Sequence, residues 1–309
     1  MSTKAAFKRW DVLGLGSSTV DDFLYVPIYP QPDTKMEVED SQRYGGGLTA
    51  TALVAAARLG ARAAFGGLLG DDEISRWVET DLQREGVDTS LVVRHPDARP
   101  IHAVIVVEET HQTRTILYSL KGQVGADDTR PAADVIRSSG VLFIDDFGIP
   151  GQIRAATIAR EAGIPVVGDF EREASPRIPE LIDLVDHLIL SIGFTERYTH
   201  IREPEAALRH LWNETRAVVV LTAGTHGCWY STDGRQVQHQ PAFAVKAVDT
   251  TGCGDVFHGA YAAALNWDMS TAERIRFASA AAALKATQPG GRRGIPTRDM
   301  TEAFLKTAT

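Results

Sequence analysis

The chain has 309 residues, 44% of them hydrophobic and 23% charged, and a formal net charge of −8 at pH 7. That composition fits a globular protein with a sizeable core, and the acidic balance argues against a nucleic-acid or anionic-membrane partner. Two cysteines, Cys228 and Cys253, are too few for a disulfide framework or a zinc site; no apolar run is long enough to span a membrane; and the basic stretch 1–9 is followed by no signal-peptide core, so a cytoplasmic location is expected.

Residues 11–16, D-V-L-G-L-G, read as a buried first strand ending in glycines. Gly14 and Gly16 could begin a dinucleotide-binding G-x-G-x-x-G, but Thr19 stands where the third glycine belongs. Residues 20–29 then continue as extended chain, with Pro27 inside and Pro30 behind them, instead of as a helix. A dehydrogenase fold is set aside on those grounds. Residues 20–44 hold strand-like pieces, and 101–108 and 113–120, joined by a polar turn at 109–112, read as a hairpin. These two β excursions predict a small sheet beside the main body. Between them Gly45, Gly46 and Gly47 precede an alanine-rich helix that Gly60 closes. Residues 63–69 read as a strand, and Asp71 and Asp72 cap a helix over 73–85.

From residue 132 onward strands and helices alternate, with segments at 141–145, 151–162, 164–169, 178–185, 187–191, 203–212 and 217–222. This pattern predicts a parallel sheet covered on both faces, with ligands at the carboxyl ends of its strands. Asp145, Asp146, Asp169 and Glu171 lie at such ends. Each alone reads as a capping or surface carboxylate; together they favour a polar cleft. Residues 271–287 form an alanine-rich helix, and 288–296 is a loop with three glycines.

The stretch 248–260 carries the chemistry. A strand-like run, 241–248, leads in, and a helix of small residues, 256–265, leads out. Gly252 and Gly254 let the backbone turn tightly and approach a ligand. The free N–H groups of a helix start, with its dipole, favour an anion there. An ordinary junction would also accommodate Asp255 in the first helical turn, but the crowding of two glycines, two threonines and two aspartates favours a site. A carboxylate beside an anion hole repels the anion unless the reaction needs a base. Phosphoryl transfer to an alcohol has that need: N–H groups of Gly252, Cys253 and Gly254 would hold the transferring group, and Asp255 would take the hydroxyl proton. His258, on the emerging helix, reads as a packed residue.

D-T-T-G-C-G-D at 249–255 resembles the D-T-x-G-A-G-D signature of the ribokinase-like (PfkB) carbohydrate kinases, with Cys253 where alanine is usual. The resemblance implies a three-layer α/β/α sandwich with a mostly parallel central sheet, one domain over 1–309, and a small β lid from 20–44 and 100–121. It implies an ATP-dependent sugar kinase that uses Mg2+ and K+, acts on a ketose or pentose, and dimerises through the lid. Asp21, with Asp22 as its neighbour, matches an acid that binds sugar hydroxyls. Gly46 and Gly47 match a sugar-binding glycine loop, Thr51 stands where asparagine is usual, and Lys35 falls near the far end of the sugar. Residues 221–227 resemble a T-x-G-x-x-G turn, which places Thr222, Gly224 and Gly227 near ATP. Gly291 lies in a loop bordering the adenine and a monovalent-cation site, with the cation on the Thr251 backbone.

One departure is at 191–194, S-I-G-F, where the family usually has an N-x-x-E that helps order magnesium. Asp249 is then the remaining metal candidate, through water. The branch this chain looks most like contains the sulfofructose kinases. Lys35 matches one of three sulfonate partners there, while Tyr118 and Phe147 stand where the other two belong, which ranks a neutral sugar above a sulfosugar. A nucleoside kinase and a catalytically silent sugar-binding regulator are the alternatives; intact Asp255 and the intact glycine turn speak against the second.

Overall fold

The structure is a computed structural model that describes residues 8–111, 113–173 and 175–308. The chain opens with β1 (Trp10–Leu15), β2 (Thr19–Val26), β3 (Asp40–Gly46), α1 (Leu48–Arg58), β4 (Ala63–Phe65) and β5 (Leu68–Leu69). Then come α2 (Glu73–Arg84), β6 (Val93–Arg94), β7 (Ile101–Glu108) and β8 (Thr113–Ser119). Next are α3 (Ala133–Arg137), β9 (Ser139–Asp145), α4 (Ile149–Glu161), β10 (Val166–Asp169), α5 (Ile178–Asp183) and β11 (His187–Ser191). The remainder is α6 (Ile192–Thr199), α7 (Pro204–Leu211), β12 (Val218–Thr222), β13 (Cys228–Ser231), β14 (Gln238–Gln240), α8 (Cys253–Ala264), α9 (Thr271–Ala286) and α10 (Arg298–Thr307).

The main sheet has the order β14-β13-β12-β11-β10-β9-β1-β4. It is parallel from β4 to β12. Its strands are apolar on both faces because both are covered, and the period of two sorts successive residues between two cores. Val12, Val141, Ile189 and Val220 face one core, packed with residues of α1, α8 and α9. Leu13, Leu142, Leu190 and Leu221 face the other, with residues of α4, α5 and α7. The helices are anchored at their starts: Asp72 accepts from Ser75 N, and Ser270 forms a capping box with Glu273. Each such cap contributes about 1 kcal/mol. No helix among the described residues is long and apolar enough to cross a membrane.

Four details differ from the sequence reading. Residues 63–69 form two strands, because at Gly66–Gly67 the chain leaves the main sheet; a Cβ on Gly67 would lie 2.5 Å from Gly16 O. The sheet is extended by β13 and β14, which run antiparallel. The expected strand over 241–248 is absent: Pro241 has no N–H to offer, and the N–H groups of Val248 and Asp249 go to Ala286 O at the end of α9. Residues 192–199 are the helix α6, where Ser191 Oγ caps Phe194 N at 3.1 Å and Phe194 fills the core.

The second sheet has the order β3-β2-β7-β8 and spans the two β excursions. The inner pair β2–β7 is parallel; both outer pairs are antiparallel. The alternation of β2 separates the two candidate acids. Asp22 takes two hydrogen bonds from Arg43 of β3, at 2.6 and 2.9 Å, and lies 2.8 Å from His102 Nε2 of β7. Asp21 points to the other face. Phe23, Ala103 and Ile105 form a small core on this sheet, while Ile116, Leu117 and Tyr118 of β8 are exposed.

Candidate active site

Three glycine-bearing turns converge beside the carboxyl ends of β1 and β9. The first leads from β3 into α1. Gly47 is the α1 N-cap with φ 94°, and a Cβ there would lie 2.6 Å from Ser18 Cα. A Cβ on Gly46 would strike Thr19 Oγ1 and lie 2.8 Å from Asp21 Oδ2. Asp21 therefore stands directly against this turn. Burial holds its proton affinity above the ordinary carboxylate range, with Thr19 and Arg292 pulling the other way.

The second turn, 249–252, leads into α8. Asp249 is its staple: Oδ1 accepts from Thr251 N and Oδ2 from Gly290 N, both at 2.9 Å. These bonds keep its carboxyl below the ordinary range against burial. Gly252, with φ 76°, is the α8 N-cap, and a Cβ there would lie 2.7 Å from Gly291 O. Cys253 N donates back to Thr250 O at 3.2 Å, so its N–H is engaged within the turn. Among the described residues the N–H groups of Gly254 and Asp255 have no acceptor, and a Cβ on Gly254 would meet open space. Gly252 N likewise has no acceptor among the described residues, so of the three expected donors only Cys253 N is engaged, and Asp255 N adds a further open one. Burial pushes the Cys253 thiol up, against the lowering that a helix start confers.

The third turn, 290–292, joins the other two. A Cβ on Gly291 would lie 3.9 Å from Thr251 Cγ2 and 4.0 Å from the Gly45 carbonyl oxygen. Arg292 is buried; Nη1 donates to Asp81 Oδ2 at 2.8 Å, Nη2 to Gly46 O at 2.8 Å, and Nε to Thr51 Oγ1 at 3.2 Å. Thr51, expected to face the sugar, lies at this junction. It is buried in α1 with its hydroxyl turned to this guanidinium, because a buried Arg needs acceptors for its N–H groups. Arg292 acts electrostatically on both Asp21 and Asp255.

Asp255 sits in the first turn of α8. Burial and then the nearby Asp169 and Glu171 raise its proton affinity well above the ordinary carboxylate value. His258, three residues on, is buried, with Nδ1 2.8 Å from Gly254 O and Nε2 3.0 Å from Ile189 O. It packs, as expected, and ties the start of α8 to β11. The four strand-end acids divide by role. Asp145 is fully buried and accepts from Ser17 N, Ser17 Oγ, Thr49 Oγ1 and Phe147 N, joining β1, α1 and β9. Burial pushes it up to about 6. Asp146 holds the backbone N–H groups of Glu171 and Arg172. Only Asp169 and Glu171 remain as charges facing Asp255.

The remaining sequence candidates lie apart from this junction. Thr222, Gly224 and Gly227 close β12, four strands from β1 in the sheet. Gly224 has room at its Cβ, whereas Gly227 is pressed against Gln240 O of β14. Lys35 is exposed on the segment between β2 and β3. Tyr118 is exposed on β8, and Phe147 lies under the Arg172 guanidinium at 3.6 Å. The sequence reading missed three contributors: Arg292 as the junction, Lys285, whose Nζ donates to Asp249 O at 2.8 Å, and Arg114, whose Nη1 reaches from β8 to Thr251 Oγ1 at 3.2 Å. A lone lysine among alanines in the 271–287 helix was the one visible signal for Lys285.

Residues 12–298 match the model of the pfkB family carbohydrate kinases. The chain is 30% identical over 300 residues to a ribokinase of Staphylococcus aureus, covering 92% of this chain and 96% of the relative. It is 31% identical over 278 residues to fructokinase-1 of Oryza sativa, covering 82% and 85%. The structure of Arabidopsis thaliana ribokinase complexed with ribose and ATP superposes with a TM-score of 0.86 at 23% identity, covering 96% of this chain and 99% of that one.

Gly252→Ala tests the junction. A methyl group at positive φ and 2.7 Å from the Gly291 carbonyl must push the second and third turns apart. A loss of about 1–3 kcal/mol in denaturant unfolding is expected; an unchanged transition would show that the two turns are not in contact.

Proposed function

The chain belongs to the pfkB family of carbohydrate kinases, and on that premise we propose that it moves the γ-phosphoryl group of ATP onto a hydroxyl of a neutral pentose or ketose, with Asp255 as the base. It is an ATP-dependent sugar kinase; the ribokinase and fructokinase relatives support the pentose or ketose class. One observation carries the assignment of Asp255: a carboxylate of raised proton affinity stands in the first turn of a helix beside N–H groups that lack a protein acceptor among the described residues.

Asp21 and the Gly46–Gly47 backbone bind the sugar hydroxyls, and Lys35 reads its far end. The N–H groups at 252, 254 and 255 receive the transferring phosphoryl group as its charge develops. Asp255 accepts the proton of the attacking hydroxyl, and its raised affinity makes it a stronger base than an ordinary carboxylate. The nucleotide runs toward the end of β12, with Thr222, Gly224 and Gly227 under its phosphates and Gly291 alongside. A magnesium ion bound with the nucleotide would supply neutralisation of phosphate charge. Among the described residues no group of three or more His, Cys, Asp or Glu could hold it alone. Asp249, whose oxygens each accept one backbone N–H, would hold it through water, because Mg2+ keeps several of its waters. A potassium ion on the Thr251 backbone would have to share the Asp249 carbonyl with Lys285 Nζ. The reading takes the chain as one α/β domain with its lid, working where ATP is held, in the cytoplasm.

Asp255→Asn should leave the fold intact and lower kcat by roughly 10²–10⁴-fold. In the wild type kcat/KM should rise with pH through the raised pKa, because only the ionised carboxylate is a base. Glu171→Gln removes a repelling charge and should move that limb to lower pH. Near-normal turnover by Asp255→Asn would remove it from the mechanism.

Lys35→Ala should raise KM for the sugar with little change in kcat, since its contact is the same in ground and transition states. Neutral ketohexoses or pentoses should show a higher kcat/KM than their 6-sulfonate or 6-phosphate analogues. A strong preference for the sulfonate would move the protein to the sulfosugar kinases.

The exposed apolar residues of β8, at 50% for Ile116, 55% for Leu117 and 67% for Tyr118, support a homodimer through the lid. Light scattering should give twice the chain mass at micromolar concentration; a monomer with and without sugar would refute it.

A further inference from the structure

Lys285 has no part in the mechanism above, yet its side chain is fully buried beside it. It lies in the last turn of α9, next to Ala286, whose carbonyl receives the N–H groups of Val248 and Asp249. Its ammonium donates to the main-chain carbonyl of Asp249 at 2.8 Å. Among the described residues it forms no ion pair. A buried ammonium without a carboxylate partner is costly, and its three donors are poorly served by one carbonyl. Structural stability alone would favour a methionine or leucine here. The charge instead stands where the field is useful. Asp249, Cys253 and Asp255 all favour its charged form, against the burial that disfavours it. These residues belong to the turn and first helical turn that present the open N–H groups.

We propose that Lys285 is a positioning residue for phosphoryl transfer: its ammonium is a built-in monovalent cation that fixes the Asp249 carbonyl and adds positive charge beneath the amino end of α8. The inference rests on the kinase reading and deepens it. It has two consequences. The turn 249–252 is held at both polar groups of Asp249, the carboxylate by Thr251 and Gly290 and the carbonyl by Lys285. The place that a potassium ion would take on that carbonyl is occupied by a covalently tethered charge. The enzyme therefore needs no added potassium, contrary to the sequence expectation.

The test compares wild type and Lys285→Ala, as full chains, in potassium, ammonium, methylammonium and tetramethylammonium chloride at equal ionic strength. Wild-type kcat and melting temperature should agree in all four within about twofold and within experimental error, since a ligand stabilises only a state with a place for it. Lys285→Ala should lose about 10²-fold in kcat, in the range for removing one preorganised charge from a transition state. Its KM for sugar should stay within about threefold. Potassium, ammonium or methylammonium should restore at least about tenfold of the rate and raise the melting temperature of the variant, while tetramethylammonium, too large for the vacated space, should do neither. Potassium activation of the wild type overturns the proposal, as does a folded variant that is fully active or that no small cation rescues. Should the alanine variant fail to fold, Lys285→Met keeps the volume and removes the charge, so it should fold and lose about 10²-fold in kcat in every salt; full activity of that variant overturns the proposal. If no sugar is turned over by the wild type, the kinase reading fails instead, and the melting curves of the variant still decide whether a small cation replaces the ammonium.

Discussion

A buried guanidinium holds the site together. Arg292 comes from the loop after α9 and donates to the Gly46 carbonyl before α1, to Thr51 within α1 and to Asp81 on α2. Each partner belongs to a different segment, and none is near Arg292 in sequence. A planar cation with five donors can satisfy several fixed acceptors at once, which a lysine cannot. Removing Asp81, which Arg84 also pairs, would leave the buried guanidinium without its carboxylate, far more damaging than the loss of a surface pair. Because Arg292 influences both Asp21 and Asp255, the two candidate acids share one electrostatic neighbour.

The same economy of polar groups runs through the rest of the centre. Asp249 uses its two carboxylate oxygens to staple two turns and its carbonyl to hold Lys285. Asp145 gathers donors from β1, α1 and the end of β9 into one buried acceptor. Backbone turns alone would leave these N–H groups unpaired away from water, so the carboxylates are the reason the turns can be buried at all. What is left unpaired is then informative. The N–H groups of Gly254 and Asp255 stand open amid a network that satisfies its neighbours. Asp169, whose Oδ2 lies 3.3 Å from His258 Nδ1, and Glu171 are the acids that raise the proton affinity of Asp255.

The lid adds a second layer of control. Asp22 is neutralised on the outer side by Arg43 and His102, leaving Asp21 on the side that meets the glycine turn. Arg114 of β8 reaches Thr251, and Arg293 lies over the Tyr44 ring at 5.9 Å, so the small sheet touches the turns of the main body at two places. Movement of this sheet would alter the surroundings of the open N–H groups directly.

The amino-acid sequence by itself determined the layered α/β architecture, the small β sheet, the helix start at Gly252 and the candidacy of Asp255. These are local: the alternation of strands and helices, the two β excursions and the glycine turn are written in neighbouring residues. Only the tertiary structure decided which acids are free. Asp145 and Asp146 look like Asp169 in the chain, but donors from residues as distant as Ser17 and Thr49 convert Asp145 into a structural acceptor. Asp21 was chosen over the adjacent Asp22 by resemblance alone; partners on β3 and β7 give the physical distinction by claiming Asp22. Ser191 and Phe194 marked a departure in sequence; the fold shows a capped helix with a buried aromatic there. Lys285 and Arg292 were invisible as site residues because a buried charge is defined by what surrounds it, and their acceptors lie 36 to 246 residues away along the chain.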